Sequence, residues 1–224
     1  MSVPCLAPLL LVFAGCAAGP WQTLGFRKSE TAEEFRKYGP TPAQQIDELK
    51  QLADVAADLS NERQQRLSAD LADRLPLEQD PQIRIATVRA LGPLRSASAL
   101  DALQQVTQDT DHRVRVAACA ALGNQKNERA LAALAEVLGS DTNIDVRIAA
   151  ADALGAFNDP VAMRALGTAL DDRDPALQHR AIQSLKSISG TDYGNDIATW
   201  RQFADGGRPA ASTPSLAERF RQMF

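Results

Sequence analysis

Asp80-Pro81-Gln82-Ile83-Arg84-Ile85-Ala86-Thr87-Val88-Arg89-Ala90-Leu91-Gly92 is the stretch that decides the fold of this chain. Its landmarks return at Asp111 to Gly123, and at Asn143 to Gly155 with asparagine for the first aspartate. Leu91-Gly92, Leu122-Gly123 and Leu154-Gly155 are spaced by 31 and 32 residues. Arg84, Arg115 and Arg147 each follow a branched apolar residue and each stand four residues after Asp80, Asp111 and Asn143. A fixed period in this range marks a stack of repeats, and a stack is more often a binding scaffold than a catalyst.

Each unit reads as helix, tight turn, helix. Asp80-Pro81 places an N-cap acceptor before a proline at the first helical position, where the missing N–H costs nothing. Asp174-Pro175 and Asp159-Pro160 repeat the device. Ile83, Val88 and Leu91 align with Val114, Cys119 and Leu122, then with Val146, Ala151 and Leu154, on one helical face. The alanines between them allow close approach of neighbouring helices. The second helices carry Leu100, Leu103 and Val106, then Leu131, Leu134 and Val137, then Met163, Leu166 and Ala169. The glycine after each leucine is expected at a left-handed C′ position, which glycine enters at little cost.

A degenerate further unit starts at Asp174, with Gln178 for the arginine and Lys186 for the glycine. An entry unit is expected over Thr41 to Leu77, patterned by Ile46, Leu49, Leu52, Val55 and Leu59, then Leu67, Leu71 and Leu75. Ser60 is the candidate N-cap of its second helix. No segment alternates as a strand does.

These residues resemble HEAT-like repeats of the short bacterial type, the class named after bilin lyase subunits. The resemblance covers residues 80 to 204, with looser support from 41. It implies an all-α fold, a right-handed α-solenoid of four to five HEAT-like helical hairpins. The period is shorter than the roughly 40–47 residues of eukaryotic HEAT or armadillo units. Tetratricopeptide and ankyrin signatures are absent.

The arginines in register have two readings. One is a structural ladder, Asp80, Arg84, Asp111, Arg115, Asn143 and Arg147, bonding within or between units. The other is a row of anion-binding groups. An aspartate in each unit favours the ladder, because a paired arginine is not free.

The formal net charge of -4 and the absence of a Lys/Arg cluster argue against nucleic acid as a partner. The apolar run from Cys5 to Gly15 is too short to span a bilayer comfortably and ends in small residues. Phe13-Ala14-Gly15-Cys16 resembles a bacterial lipobox, which implies cleavage before Cys16 and lipidation of that cysteine. Phe13 stands where leucine is usual, Pro8 interrupts the run, and no Lys or Arg precedes it. Lipidation through two acyl chains would anchor the protein on a bacterial envelope membrane, facing the periplasm; plain secretion is the alternative. Cys119 is then the last unmodified cysteine, at a position occupied by Val88, Ala151 and Ile182 in other units, and reads as a buried small hydrophobe.

The expected organisation is a signal peptide over 1–15, a lipid-anchored tether and N-terminal cap over 16–40, and a repeat domain over 41–204. A linker over 205–214 and an amphipathic helix over 215–224 follow. Trp21, Phe26, Phe35 and Tyr38 gather before the repeats, and Tyr193, Trp200 and Phe203 after them. The second set reads as a cap closing the open core. Trp21 and Phe26 are equally readable as cap or membrane-interface residues. Gly190 to Asp196 reads as a polar turn rather than a calcium loop, since the EF-hand spacing is missing. Leu216, Phe220, Met223 and Phe224 fall on one face of the last helix, which could dock on a partner, on a membrane or on the stack itself.

Chemistry is scarce. His112 and His179 are the two histidines, and neither has a metal-ligand partner at suitable spacing. No phosphate loop or nucleophile elbow is present, and no cofactor or metal is implied. Asp171-Asp172-Arg173-Asp174 reads as a solvated turn with an N-cap. Binding is expected on the concave face, lined by second helices: Asp101, Gln104, Gln105, Ala132, Glu136, Arg164 and Thr168. The expected function is a non-catalytic protein–protein interaction scaffold on the cell envelope, its partner another protein. The alternatives are a bilin-lyase-like subunit, acting as enzyme or chromophore chaperone, and an envelope assembly or glycan-binding structural protein.

Overall fold

The computed structural model describes residues 39–209. The chain divides into two units, Met1–Thr41 and Pro42–Phe224, and the repeats lie in the second. Cys16, Trp21, Phe26, Phe35, Tyr38, Leu216, Phe220, Met223 and Phe224 lie outside the described residues.

Among the described residues there are ten α-helices, a single 3-10 turn and no strand. They pair into hairpins: α1 (Pro42–Ala56) with α2 (Asn61–Arg74), α3 (Pro81–Leu91) with α4 (Ala97–Val106), and α5 (His112–Gln125) with α6 (Glu128–Ser140). α7 (Ile144–Leu154) with α8 (Pro160–Ala169), and α9 (Pro175–Ser189) with α10 (Ile197–Ala204), complete the stack. First helices pack on first helices and second on second, so the fold is a two-layered α-solenoid of five hairpins. The 3-10 turn Leu75–Leu77 ends the entry hairpin.

Local chemistry sets the helix starts. Asp80, Asp111, Asn143 and Asp174 each accept a backbone N–H two residues on, opening the first helices α3, α5, α7 and α9. Ser96, Asn127, Asp159 and Asp196 cap the second helices. Each such cap contributes about 1 kcal/mol. Ser60 stands at the N-cap of α2, but its hydroxyl makes no cap bond. Only its carbonyl is used, accepting from the Gln64 amide at 2.9 Å.

The stripes meet as the helical period requires. Leu91, Leu122, Leu154 and Leu185 are all fully buried, and each contributes roughly 2–3 kcal/mol relative to an exposed side chain. Cys119 is fully buried with them. Val55 departs from its stripe and is 42% exposed.

The Leu-Gly glycines do something other than end helices in a left-handed turn. Gly92 and Gly155 have ordinary right-handed angles, with φ -53° and -61°. Gly123 lies inside α5, which runs on to Gln125. What these positions need is the absence of a side chain. A Cβ on Gly92 would stand 3.4 Å from the Ala121 methyl, on Gly123 3.1 Å from the Ala153 methyl, and on Gly155 3.0 Å from Ser184 Cβ. Each glycine thus lets the next first helix seat a small residue against it. Left-handed residues end other helices, Lys126 at φ 49° after α5 and Gly190 at φ 65° after α9.

At the C-terminal end Trp200 is fully buried. Its indole N–H donates to the Gly194 carbonyl at 2.7 Å. Tyr193 meets it edge-on with ring centroids 5.1 Å apart, and Phe203 at 6.0 Å. These three rings close the last hairpin, as the capping reading requires.

Candidate functional site

The arginines in register are struts between units, with partners the repeat pattern does not name. Arg84 forks onto Asp109, Nε and Nη2 each donating at 2.8 Å. Arg115 forks onto Asp141 at 2.7 and 2.9 Å. Arg147 pairs with Asp172 through Nη1, and its buried Nε has no hydrogen-bond acceptor. Spare donors reach back along the chain, Arg84 Nη1 to the Gln79 carbonyl at 3.0 Å and Arg115 Nη1 to the Asp109 carbonyl at 2.8 Å. Gln178, standing where arginine is lost, keeps half the role by donating to the Asp172 carbonyl at 2.7 Å.

The expected ladder therefore needs correcting. Asp80, Asp111 and Asn143 are caps, while the ion-pair acceptors Asp109, Asp141 and Asp172 lie two residues before the next unit's cap. Each acceptor also takes the backbone N–H of the cap residue, at 2.8, 2.8 and 2.9 Å. Glu78 does the same for Asp80 at 2.8 Å. Glu78, Asp109, Asp141 and Asp172 share the repeat spacing, which was the signal available to find them.

Electrostatics follow this geometry. Burial pushes the Asp141 carboxyl up, but the Arg115 fork and the Asn143 amide outweigh it and hold it below the ordinary range. The Asp174 amide, with Arg147, holds Asp172 low. The Asp109 fork pushes Arg84 up, and the Asp141 fork does so for Arg115. Desolvation pushes the Cys119 thiol up to about 12, so it is no nucleophile at neutral pH.

Two buried glutamines, absent from the sequence reading, tie the layers at the turns. Gln125 donates to the Gly92 and Leu94 carbonyls at 2.9 and 3.0 Å. Gln64 donates to the Leu59 carbonyl at 3.0 Å and accepts the Arg95 amide at 3.0 Å.

The second-helix candidates are exposed or half-exposed, and neither hollow described below is lined by them. Asp101 and Gln104 both accept from Arg129 of the next unit, at 2.6 and 2.5 Å. Thr168 donates to the Ala165 carbonyl at 2.7 Å. Gln105, Ala132, Glu136 and Arg164 are spread over α4, α6 and α8. In the Asp171–Asp174 run the carboxylates are engaged: Asp171 pairs with Arg201, Asp172 with Arg147, and Asp174 caps α9. Asp192 likewise pairs with Lys186, and Asp196 caps α10.

The larger hollow lies on the other layer, along the first helices. It has a volume of about 730 Å³ and sits between α3 and α5, with Asp145 of α7 at one edge. Its apolar lining is Gly92, Ile85, Val116, Ala117 and Ala121, with Arg89 and His112 beside them. A second hollow of about 460 Å³ shares Asn124 with it and is lined by Ala57, Pro93, Arg95 and Lys126. Among the described residues no group of three or more His, Cys, Asp or Glu is placed to hold a metal ion. No described helix is long and apolar enough to cross a membrane.

A model of HEAT repeats matches residues 68–145 and 136–196, together more than half of the chain. The fold is thus that of a helical-repeat stack, and this chain belongs to the HEAT-repeat family. Among solved structures, human deoxyhypusine hydroxylase in complex with glycerol is similar at 26% identity, over 55% of this chain and 43% of that one, with a TM-score of 0.51. This chain therefore spans less than half the length of that hydroxylase. A designed armadillo repeat protein in complex with the peptide (KR)4 is 20% identical over 75% of this chain and 84% of its own, with a TM-score of 0.47. An engineered protein is 19% identical over 75% of this chain and 82% of its own, also with a TM-score of 0.47. No curated protein matches.

Proposed function

We propose that this protein is a non-catalytic protein-interaction scaffold of the short bacterial HEAT type, held on an envelope membrane through lipidated Cys16. One observation carries the binding part. The polar residues that keep register are used up in caps and struts, and the surface left over is an open hollow along the first helices. Membership of a repeat family whose units stack into extended surfaces supports the same reading. The anchoring part rests on Phe13-Ala14-Gly15-Cys16 and the apolar run before it.

The likeness to deoxyhypusine hydroxylase supports a second reading, in which the stack serves an enzyme, as a bilin-lyase-like subunit would. Affinity purification from envelope fractions, with and without residues 215–224, separates the two. Recovery of a defined protein supports the scaffold; recovery of a small-molecule chromophore alone supports the lyase. In the same cells Cys16→Ala is expected to abolish labelling by a fatty-acid analogue. Retained labelling overturns the anchor.

A further inference from the structure

The hollow along the first helices is chemically lopsided in a way the chain as a whole is not. Arg89 stands on its α3 side, and Arg95 and Lys126 line the second hollow, which adjoins it at Asn124. Arg89 and Lys126 make no hydrogen bond or ion pair among the described residues, and both are exposed. Arg95 spends one N–H on the Gln125 carbonyl at 3.2 Å and is otherwise exposed. Asp145 is the one carboxylate lining either hollow. Elsewhere on the stack Arg129 and Arg180 have carboxylates beside them, Asp101 and Asp152, while Arg63, Arg164 and Arg173 are exposed cations that line neither hollow. On a chain of net charge -4 this is a local reversal of sign.

The reversal belongs to one pair of units. The position of Arg89 is held by Ala120, Asp152 and Gln183 in the later units, and Asp152 is itself paired with Arg180 at 2.9 Å. The first hollow has an apolar floor, Ala117, Ala121 and Ile85 around Gly92. Such a floor accepts small aliphatic side chains, and a hollow of this size takes a few residues rather than a domain.

We infer that these two adjoining hollows bind an acidic, aliphatic segment of a partner protein, placing carboxylates on Arg89 and Lys126 and small apolar side chains on the alanine floor. The inference rests on the scaffold reading and names its partner class. An extended segment suits it, because alternate side chains point to opposite sides and can seat every second residue on the floor. A nucleic acid would meet cations here but net repulsion from the rest of the chain, with no Phe, Tyr or Trp lining either hollow for its bases.

Fluorescence anisotropy with labelled short peptides tests this on the full chain. Peptides alternating Glu or Asp with Val are expected to bind, and the same peptides with Lys for the acids are not. Raising the salt should weaken binding, since exposed charge pairs are screened. Arg89→Glu combined with Lys126→Asn is expected to weaken the acidic peptides about tenfold or more. Arg173→Glu, a charge change outside both hollows, should leave affinity unchanged, and circular dichroism confirms that each variant is folded. Equal binding of acidic and basic peptides, an unaffected double variant, or tighter binding of a single-stranded oligonucleotide overturns the inference. If a cellular partner is captured by the double variant as well as by the native chain, the scaffold reading stands and the acidic-segment inference falls.

Discussion

Gly123 of α5 lies directly against Ala153 of α7, so closely that a methyl group on the glycine would stand 3.1 Å from the alanine methyl and 3.4 Å from its Cα. The contact recurs as Gly92 on Ala121 and Gly155 on Ser184. Each of these contacts joins the end of one first helix to the first helix of the next unit.

Gly→Ala substitutions are expected to separate by neighbour rather than by helix propensity. Gly155→Ala meets Ser184 Cβ at 3.0 Å and Cα at 3.1 Å, and overpacking of this kind costs about 1–3 kcal/mol. Gly139, exposed in α6, has nothing within 4 Å of an added Cβ, so Gly139→Ala should stabilise by up to about 1 kcal/mol. Urea denaturation of both variants checks the pair; similar effects would show that the contacts are not limiting.

Removing a strut should cost far more than removing an exposed ion pair. The Arg115 and Asp141 side chains are 14% and 8% exposed, and Arg115→Ala leaves that carboxylate without its counter-charge, an expected loss of about 3 kcal/mol. Arg129→Ala breaks a pair with Asp101 whose side chains are 56% and 52% exposed and should cost at most about 1 kcal/mol. A double-mutant cycle on Arg115 and Asp141 measures the coupling, which should approach zero if the fork contributes nothing.

Acid should unfold the stack through these carboxylates. Asp141 and Asp172 are held below the ordinary value of 3.8 in the folded chain. Their contribution is present above that pH and is lost as pH falls through the folded-state values. The forks push Arg84 and Arg115 above the ordinary guanidinium value, so they add no pH dependence in the neutral range. Melting temperature followed from pH 7 downward should fall steeply below about 4, and less steeply in Arg115→Ala.

Cys119 should be silent to thiol reagents while the chain is folded. Its thiol is fully buried and pushed up to about 12. In a Cys5→Ser, Cys16→Ser background, colour development with a disulfide reagent at pH 8 should appear only in denaturant. Rapid reaction in buffer would show that the α5–α7 layer opens.

Trp200 should hold the end of the stack. Trp200→Ala opens a large cavity under the last hairpin and is expected to cost about 3–5 kcal/mol. Trp200→Phe keeps most of the packing but leaves the Gly194 carbonyl without its donor at 2.7 Å, for about 1–2 kcal/mol. Thermal melts of the two variants should keep that order.

The caps and the stripes were legible before any coordinates. Asp80, Asp111, Asn143 and Asp174 act on amides two residues away, and Leu91, Leu122, Leu154 and Leu185 recur with the helical period and the repeat. Both signals are local, so sequence alone determined the hairpins, their order and the apolar faces. The struts, the role of the glycines and the first-helix hollow were not legible in the same way. Arg84 reaches a partner 25 residues away and Arg115 one 26 away, and Gly123 meets an alanine of the following unit. Which groups meet across that distance depends on the offset between stacked hairpins, and that offset is decided by packing. The tertiary structure alone therefore turned Asp109, Asp141 and Asp172 into counter-ions, the Leu-Gly glycines into points of close approach, and Arg89 and Lys126 into unpaired cations lining adjoining hollows.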